Sequence, residues 1–165
     1  MTDTHALISL EERFAEGILK STKRVELRRR PMRLEAAATI WLYVKVPVGK
    51  VVGSVQVHSL HALAPATLWR RYGDVSGLAR NEFFEYFSGV ERGFALVLEN
   101  PVRLPEPVDL ERLRTLNGGF QPPQFFQHLA VDGPLVSAFT SGTGARTKKE
   151  SRLRKPEQLA CFATA

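Results

Sequence analysis

The chain has 165 residues, about one domain's length, with 44% hydrophobic and 24% charged residues, a balance that excludes a disordered or fibrous protein. A single cysteine, Cys161, excludes an internal disulfide and a cysteine-rich zinc site, and the longest apolar runs, Ile40–Val44 and Phe94–Leu98, fall far short of the roughly 20 residues of a membrane span. Lys and Arg number 23 against 17 Asp and Glu, for a formal charge of +6, and the excess is uneven. Lys20–Arg33 holds seven basic residues against Glu26 alone, and residues 142–165 hold six against two, which leaves the remainder net acidic. A basic stripe on an acidic body suits a local polyanion site, and equally a charged, solvated strand edge. Acidic Asp3, Glu11 and Glu12 stand where a signal peptide would be positive and apolar, so a soluble cytoplasmic domain is expected.

Taken in chain order, Ala6–Leu10 reads as a short strand, and Ser9-Leu10-Glu11-Glu12 fits a capping box opening a helix over 10–20. In Arg24–Arg30, Val25 and Leu27 alternate with polar residues, which predicts a half-buried strand with Arg24, Glu26, Arg28 and Arg30 on its solvated face. Thr39–Val46 and Val51–Leu60 alternate and are joined by a Pro-Val-Gly-Lys turn, a hairpin. Short helices follow from Pro65 and over Arg80–Phe87, where Phe83, Phe84 and Phe87 mark a core face. Phe94–Leu98 is another strand, and Pro101, Pro105 and Pro107 make the next stretch extended but unsuited to a central strand. Asp109–Leu116, Pro122–Leu129 and Pro134–Phe139 read as short helices, and residues 142–165 as a basic, disordered tail. Short strands interleaved with short helices predict a small mixed barrel.

Among chemistry-bearing residues, His58 and His61 fall on opposite faces of an extended segment, and Cys161 has no nearby histidine, so neither metal, cofactor nor thiol nucleophile is expected. Trp41 and Tyr43 share one strand face near basic residues and are candidates to stack bases. Lys23 and Arg28 can hold a phosphate or an oxyanion, and Glu26, between Arg24 and Arg28, stays ionised.

Ser21-Thr22-Lys23-Arg24-Val25-Glu26-Leu27-Arg28 resembles the G-x-K-x-x-E-x-R signature of the ASCH domain family, with Ser21 in place of the leading glycine. Tyr43, Pro47 and Val51-Val52-Gly53 resemble that family's hairpin, Arg92–Leu96 its later strand, and Phe120–Gln124 a Pro-Pro-Gln stretch of bacterial members. The resemblance implies an α+β fold: a PUA-like β-barrel of five to six mixed strands with short helices packed around it, spanning residues 1–141. It also implies an RNA or nucleoside ligand in a basic cleft at the helix–strand junction, with Lys23, Glu26, Arg28, Arg30 and Tyr43 as binding residues. An RNA-binding module is the first expectation. A hydrolase is the second, with Lys23 and Glu26 as an acid–base pair acting on RNA or N4-acetylcytidine. The amidohydrolase pattern has a threonine where Glu26 stands and a glutamate close to Ser76, with Glu82 the nearest carboxylate, so its hydroxyl nucleophile is missing here. A protein-interaction scaffold is the third, and the sequence names no protein partner and no membrane role.

Overall fold

The structure is a computed structural model that describes residues 3–141. Its elements are β1 (His5–Leu10), α1 (Glu12–Leu19), β2 (Val25–Arg28), β3 (Thr39–Val44), β4 (Lys50–Leu63), α2 (Pro65–Tyr72), a 3-10 turn (Gly73–Val75), α3 (Arg80–Tyr86), β5 (Gly93–Asp109), α4 (Leu110–Leu116), β6 (Phe126–Leu129) and a final helix, α5, over residues 134–141. The strands form one mixed sheet in the order β2-β5-β4-β3-β1-β6, with β1 and β3 parallel and the other neighbours antiparallel. Register shifts along β4 and β5, and one in β3, bend the sheet into a half-barrel. The expected barrel of five to six mixed strands is met as a six-strand half-barrel, with β2 and β6 as its open edges. No helix among the described residues is long and apolar enough to cross a membrane.

Alternation along β3 explains how both faces of the sheet are filled. Ile40, Leu42 and Val44 point into the curl with Ala6, Ile8, Leu10, Leu96 and Leu98, where Ala15 and Ile18 of α1 close the core. Trp41 and Tyr43 point the other way, under Leu113 of α4 and Leu135 and Phe139 of α5. A third cluster packs α2 and α3 against β2 and β5 through Leu68, Phe83, Phe87, Val25 and Ala95.

Two sequence expectations need correction and a third is met. Ser9 does not cap α1: it lies in β1 and donates to the Pro123 carbonyl at 2.6 Å, while Glu11 is the residue before the first helical turn. Residues 126–129 are not helical, because they pair antiparallel with His5–Ile8 and satisfy the backbone of an otherwise free sheet edge. The proline-rich stretch is extended and not central, as expected: it is the second half of β5, where Val102, Arg103, Val108 and Asp109 pair with β4 only and Pro105 and Pro107 fall in the register shift between Arg103 and Val108. The expected tail and Cys161 lie outside the described residues.

Gly53 of β4 lies where α1, β4 and β5 converge. A Cβ there would fall on the Val102 carbonyl oxygen and 2.7 Å from Leu19 Cδ2, whereas one at Gly118 would meet nothing. Gly53→Ala is expected to lower stability by about 1–3 kcal/mol, the range of core overpacking. Chemical denaturation measures it, with Gly118→Ala as the control that leaves the midpoint unchanged.

Candidate functional site

The end of α1 places the first residue of the site. Ser21 takes a left-handed φ of 61°, and the amides of Thr22 and Lys23 both donate to the Gly17 carbonyl, at 2.9 and 3.0 Å. The turn that a glycine would make is therefore kept by a serine, at a conformational cost of roughly 1–2 kcal/mol. Gly17 allows the return, since a Cβ there would sit 3.1 Å from that of Lys23. β2 follows, and its pairing of Glu26 with Leu96 turns the Glu26 side chain toward the inside of the curl.

Lys23 Nζ donates to the Ser76 carbonyl at 2.7 Å and lies 3.4 Å from Glu26 Oε2. Arg28 Nη2 meets Glu26 Oε1 at 2.9 Å. All three side chains are buried, with 5%, 8% and 10% of their surface exposed, so the expectation of a solvated strand face fails at Glu26 and Arg28, while Arg24 and Arg30 are exposed as expected. The cover comes from distant segments: the Phe14 ring lies 5.2 Å from Lys23 Nζ, and the Phe125 ring 5.2 Å from the Arg28 guanidinium. Arg28 Nε is buried with no acceptor among the described residues. Burial holds the Lys23 ammonium below the usual lysine pKa of 10.5; Glu26 opposes that shift, and Arg28 and Arg13 add to it.

Lys23, Glu26 and Arg28 line one cavity of about 410 Å³, within the size range of small-ligand clefts. Its apolar walls are Leu10, Phe14, Leu27, Leu78 and Tyr86, and its remaining charged residues are Glu11, Arg13, Lys45, Glu82 and Glu85. The lining thus carries four cations (Arg13, Lys23, Arg28, Lys45) against four carboxylates (Glu11, Glu26, Glu82, Glu85), so it is charge-balanced. Arg13 ties α1 to α3, reaching Glu11 at 3.2 Å and Glu82 at 3.0 Å. Glu82 also accepts from the Ala79 amide at 2.8 Å, and that amide, followed by Arg13, holds its carboxyl below the ordinary range. The Glu85 side chain has no hydrogen-bond or ion-pair partner among the described residues.

The other sequence candidates lie elsewhere. Arg30 is exposed and outside the cavity lining. Trp41 and Tyr43 are 4% and 2% exposed and belong to the core on the opposite face; Phe139 sits 4.9 Å from Trp41, so neither ring is open to a base. The Tyr43 hydroxyl is buried without a partner among the described residues, and desolvation raises its pKa against an opposing effect of Arg114. His58 pairs with exposed Glu99, and His61 lies 3.0 Å from the Ser59 hydroxyl. Sequence reasoning did not find Arg13, Lys45, Glu85 or Tyr86, which reach the cavity through tertiary folding alone. It did point to Ser76 and Glu82, the first meeting Lys23 through its carbonyl while its hydroxyl bonds Gly73.

No family model matches the chain. A curated protein of Zymomonas mobilis named ASCH domain-containing ribonuclease is 36% identical over 121 residues, covering 72% of this chain and 80% of that one. Two crystal structures of ASCH protein from Zymomonas mobilis superpose with a TM-score of 0.78. One, a tyrosine-to-phenylalanine mutant, is 31% identical and covers 83% of this chain and 96% of its own. The other, a serine-to-alanine mutant, is 32% identical, covering 83% and 94%.

The geometry of the junction yields three predictions. Ser21→Gly should raise stability by about 1 kcal/mol by relieving the left-handed serine, read from thermal or chemical unfolding. Glu26→Ala should cost about 3–5 kcal/mol, because it strands two buried cations, while Lys23→Met, which leaves a matched Glu26–Arg28 pair, should stay within about 1 kcal/mol of wild type. Between the lowered Lys23 pKa and 10.5 the unfolded chain holds a proton that the folded chain has released. Wild-type stability should therefore rise with pH across that window relative to Lys23→Met, as denaturation at stepped alkaline pH will measure.

Proposed function

This chain belongs to the ASCH domain family, and from that premise we propose that it binds single-stranded RNA and cleaves it, seating one unstacked nucleotide in the cavity floored by Lys23, Glu26 and Arg28. The observation that carries the reading is the 36% identity to the Zymomonas ribonuclease, across 80% of that protein. The cavity supports it by size: about 410 Å³ fits one nucleotide and excludes a duplex. Proteins that read single-stranded RNA take splayed-out nucleotides into such sites.

The chemistry available there is consistent with phosphodiester cleavage. The Lys23 and Arg28 cations can offset the charge that develops on the phosphate. Removing the proton of an attacking hydroxyl needs a free base, and Glu26 is spent on its two ion pairs. Glu82 is likewise engaged by Ala79 and Arg13. Glu85, without a partner, is the carboxylate of the lining left to take the proton. Deacetylation of a nucleoside has less support, since position 26 carries no hydroxyl and the Ser76 hydroxyl donates to Gly73.

One observation favours a second location for the bond-breaking step. The Tyr43 hydroxyl is buried and unpartnered on the other face of the sheet, and a tyrosine is the residue changed in one Zymomonas structure. Tyr86, which lines the cavity, is the alternative tyrosine.

The test incubates the full chain with end-labelled single-stranded and duplex RNA, scoring binding and product separately. Wild type should cut the single strand in preference. Glu85→Gln should slow cutting at least tenfold while RNA is still bound, and Arg28→Gln should weaken both. Binding without product would reduce the protein to an RNA-binding module, and neither binding nor product would overturn the reading. Loss of cutting in Tyr43→Phe but not in Tyr86→Phe or Glu85→Gln would move the reaction to the far face.

A further inference from the structure

Six of the eight charged residues of the cavity fall into two tiers, and the other two, Lys45 and Glu85, are exposed. Arg13, Glu11 and Glu82 are 53%, 58% and 37% exposed and form a mutually paired rim. Lys23, Glu26 and Arg28, at 5%, 8% and 10%, form the floor. The rim is screened by water, but the floor is not, so an imbalance there is felt at full strength.

The floor is not balanced. Glu26 gives Oε1 to Arg28 and Oε2 to Lys23, and the remaining partner of Lys23 is the neutral carbonyl of Ser76. Two buried cations share one buried anion, which leaves one positive charge without a counter-charge. An uncompensated buried charge costs several kcal/mol in a folded protein. The floor also holds unspent donors: a lysine ammonium has three N–H groups and an arginine guanidinium five, and Arg28 Nε is buried with no partner among the described residues.

Resting on the RNA reading above, we propose that this floor is a receptor for a single phosphate group, so that a nucleotide enters phosphate first and leaves its base against the outer walls. A phosphate supplies what the floor lacks: negative charge to match the surplus, and several acceptor oxygens for the planar arginine fork and the lysine. A neutral base supplies no charge and would compete with two cations for Glu26. The walls that remain for base and sugar are Leu10, Phe14, Leu27, Leu78 and Tyr86, of which Tyr86 is 39% exposed. The phosphate can belong to a chain end, to the interior of a strand, or to free phosphate, since all present the same oxygens.

Calorimetric titration of the full chain with inorganic phosphate, uridine, uridine 5′-monophosphate, uridine 3′-monophosphate and the dinucleotide UpU separates these cases. Both monophosphates should bind at least tenfold more tightly than uridine, and inorganic phosphate should displace them competitively. Tighter binding of the monophosphates than of UpU assigns the floor to a chain end, and the reverse assigns it to an internal phosphodiester. Arg28→Gln should erase the advantage of monophosphate over nucleoside; if that variant does not fold, the wild-type competition decides alone. Uridine binding as tightly as its monophosphates, or phosphate failing to compete, would overturn the proposal. RNA bound or cut under those same conditions would leave the RNA reading standing without it. Phosphate and monophosphates bound by a protein that neither binds nor cuts RNA would leave the floor standing and remove the RNA reading.

Discussion

The site is organised by one carboxylate held between two buried cations. Glu26 sits on the inner face of an edge strand, opposite Leu96, where the fold would otherwise place an apolar side chain. Its two oxygens fix the Lys23 ammonium and the Arg28 guanidinium, and those contacts set where the end of α1, β2 and the residues around Ser76 meet. Such an arrangement is poor value for stability, because well-packed apolar residues of the same volume usually do as well or better. Three charges at 5–10% exposure beside an open cavity are therefore what the proposed ligand site rests on.

The rest of the architecture can be read as what makes that burial possible. β2 pairs with β5 alone, so its polar face would be wet unless other segments covered it. α1 contributes Phe14, α3 contributes Tyr86 and Glu85, and the chain before β6 contributes Phe125. The bulges that bend β4 and β5 curl the sheet toward α1 and carry the β2 edge around with it. On the reverse face α4 and α5 cover Trp41 and Tyr43, which leaves the β2 side as the open mouth of the half-barrel.

Much of this was legible in the sequence where pattern is local. Strict alternation gave β3, the first part of β4 and the start of β5, and the spacing of Phe83 and Phe87 marked a true core face. What failed was non-local. The apolar spacing of Phe125, Phe126 and Leu129 suits a helix, yet the segment serves as a strand because the free edge of β1 supplies hydrogen bonds that no local pattern announces. Trp41 and Tyr43 look available for stacking until helices 70 and 95 residues further on are laid over them, and no property of β3 itself foretells that cover. At the site, the signature delivered Lys23, Glu26 and Arg28; the alternation of Glu26 and Arg28 with Val25 and Leu27 gave the right orientation but the wrong exposure, and Lys23, which precedes β2, lies outside that alternation. Alternation separates two faces of a strand; it does not say whether the second face is wet.

The same distinction explains the charge stripe. Of the seven basic residues from Lys20 to Arg33, only Lys23 and Arg28 enter the cavity, while Lys20, Arg24, Arg29, Arg30 and Arg33 stay exposed. The two groups act over different distances. Exposed charges are screened beyond roughly 8 Å at physiological ionic strength, so their contribution to a polyanion is one of approach and falls with salt. The floor cations are shielded from solvent, and their single unmatched charge acts on whatever has already entered. A stripe that looks uniform in sequence is therefore two sets of charges in the folded chain, five on the surface and two buried at the cavity.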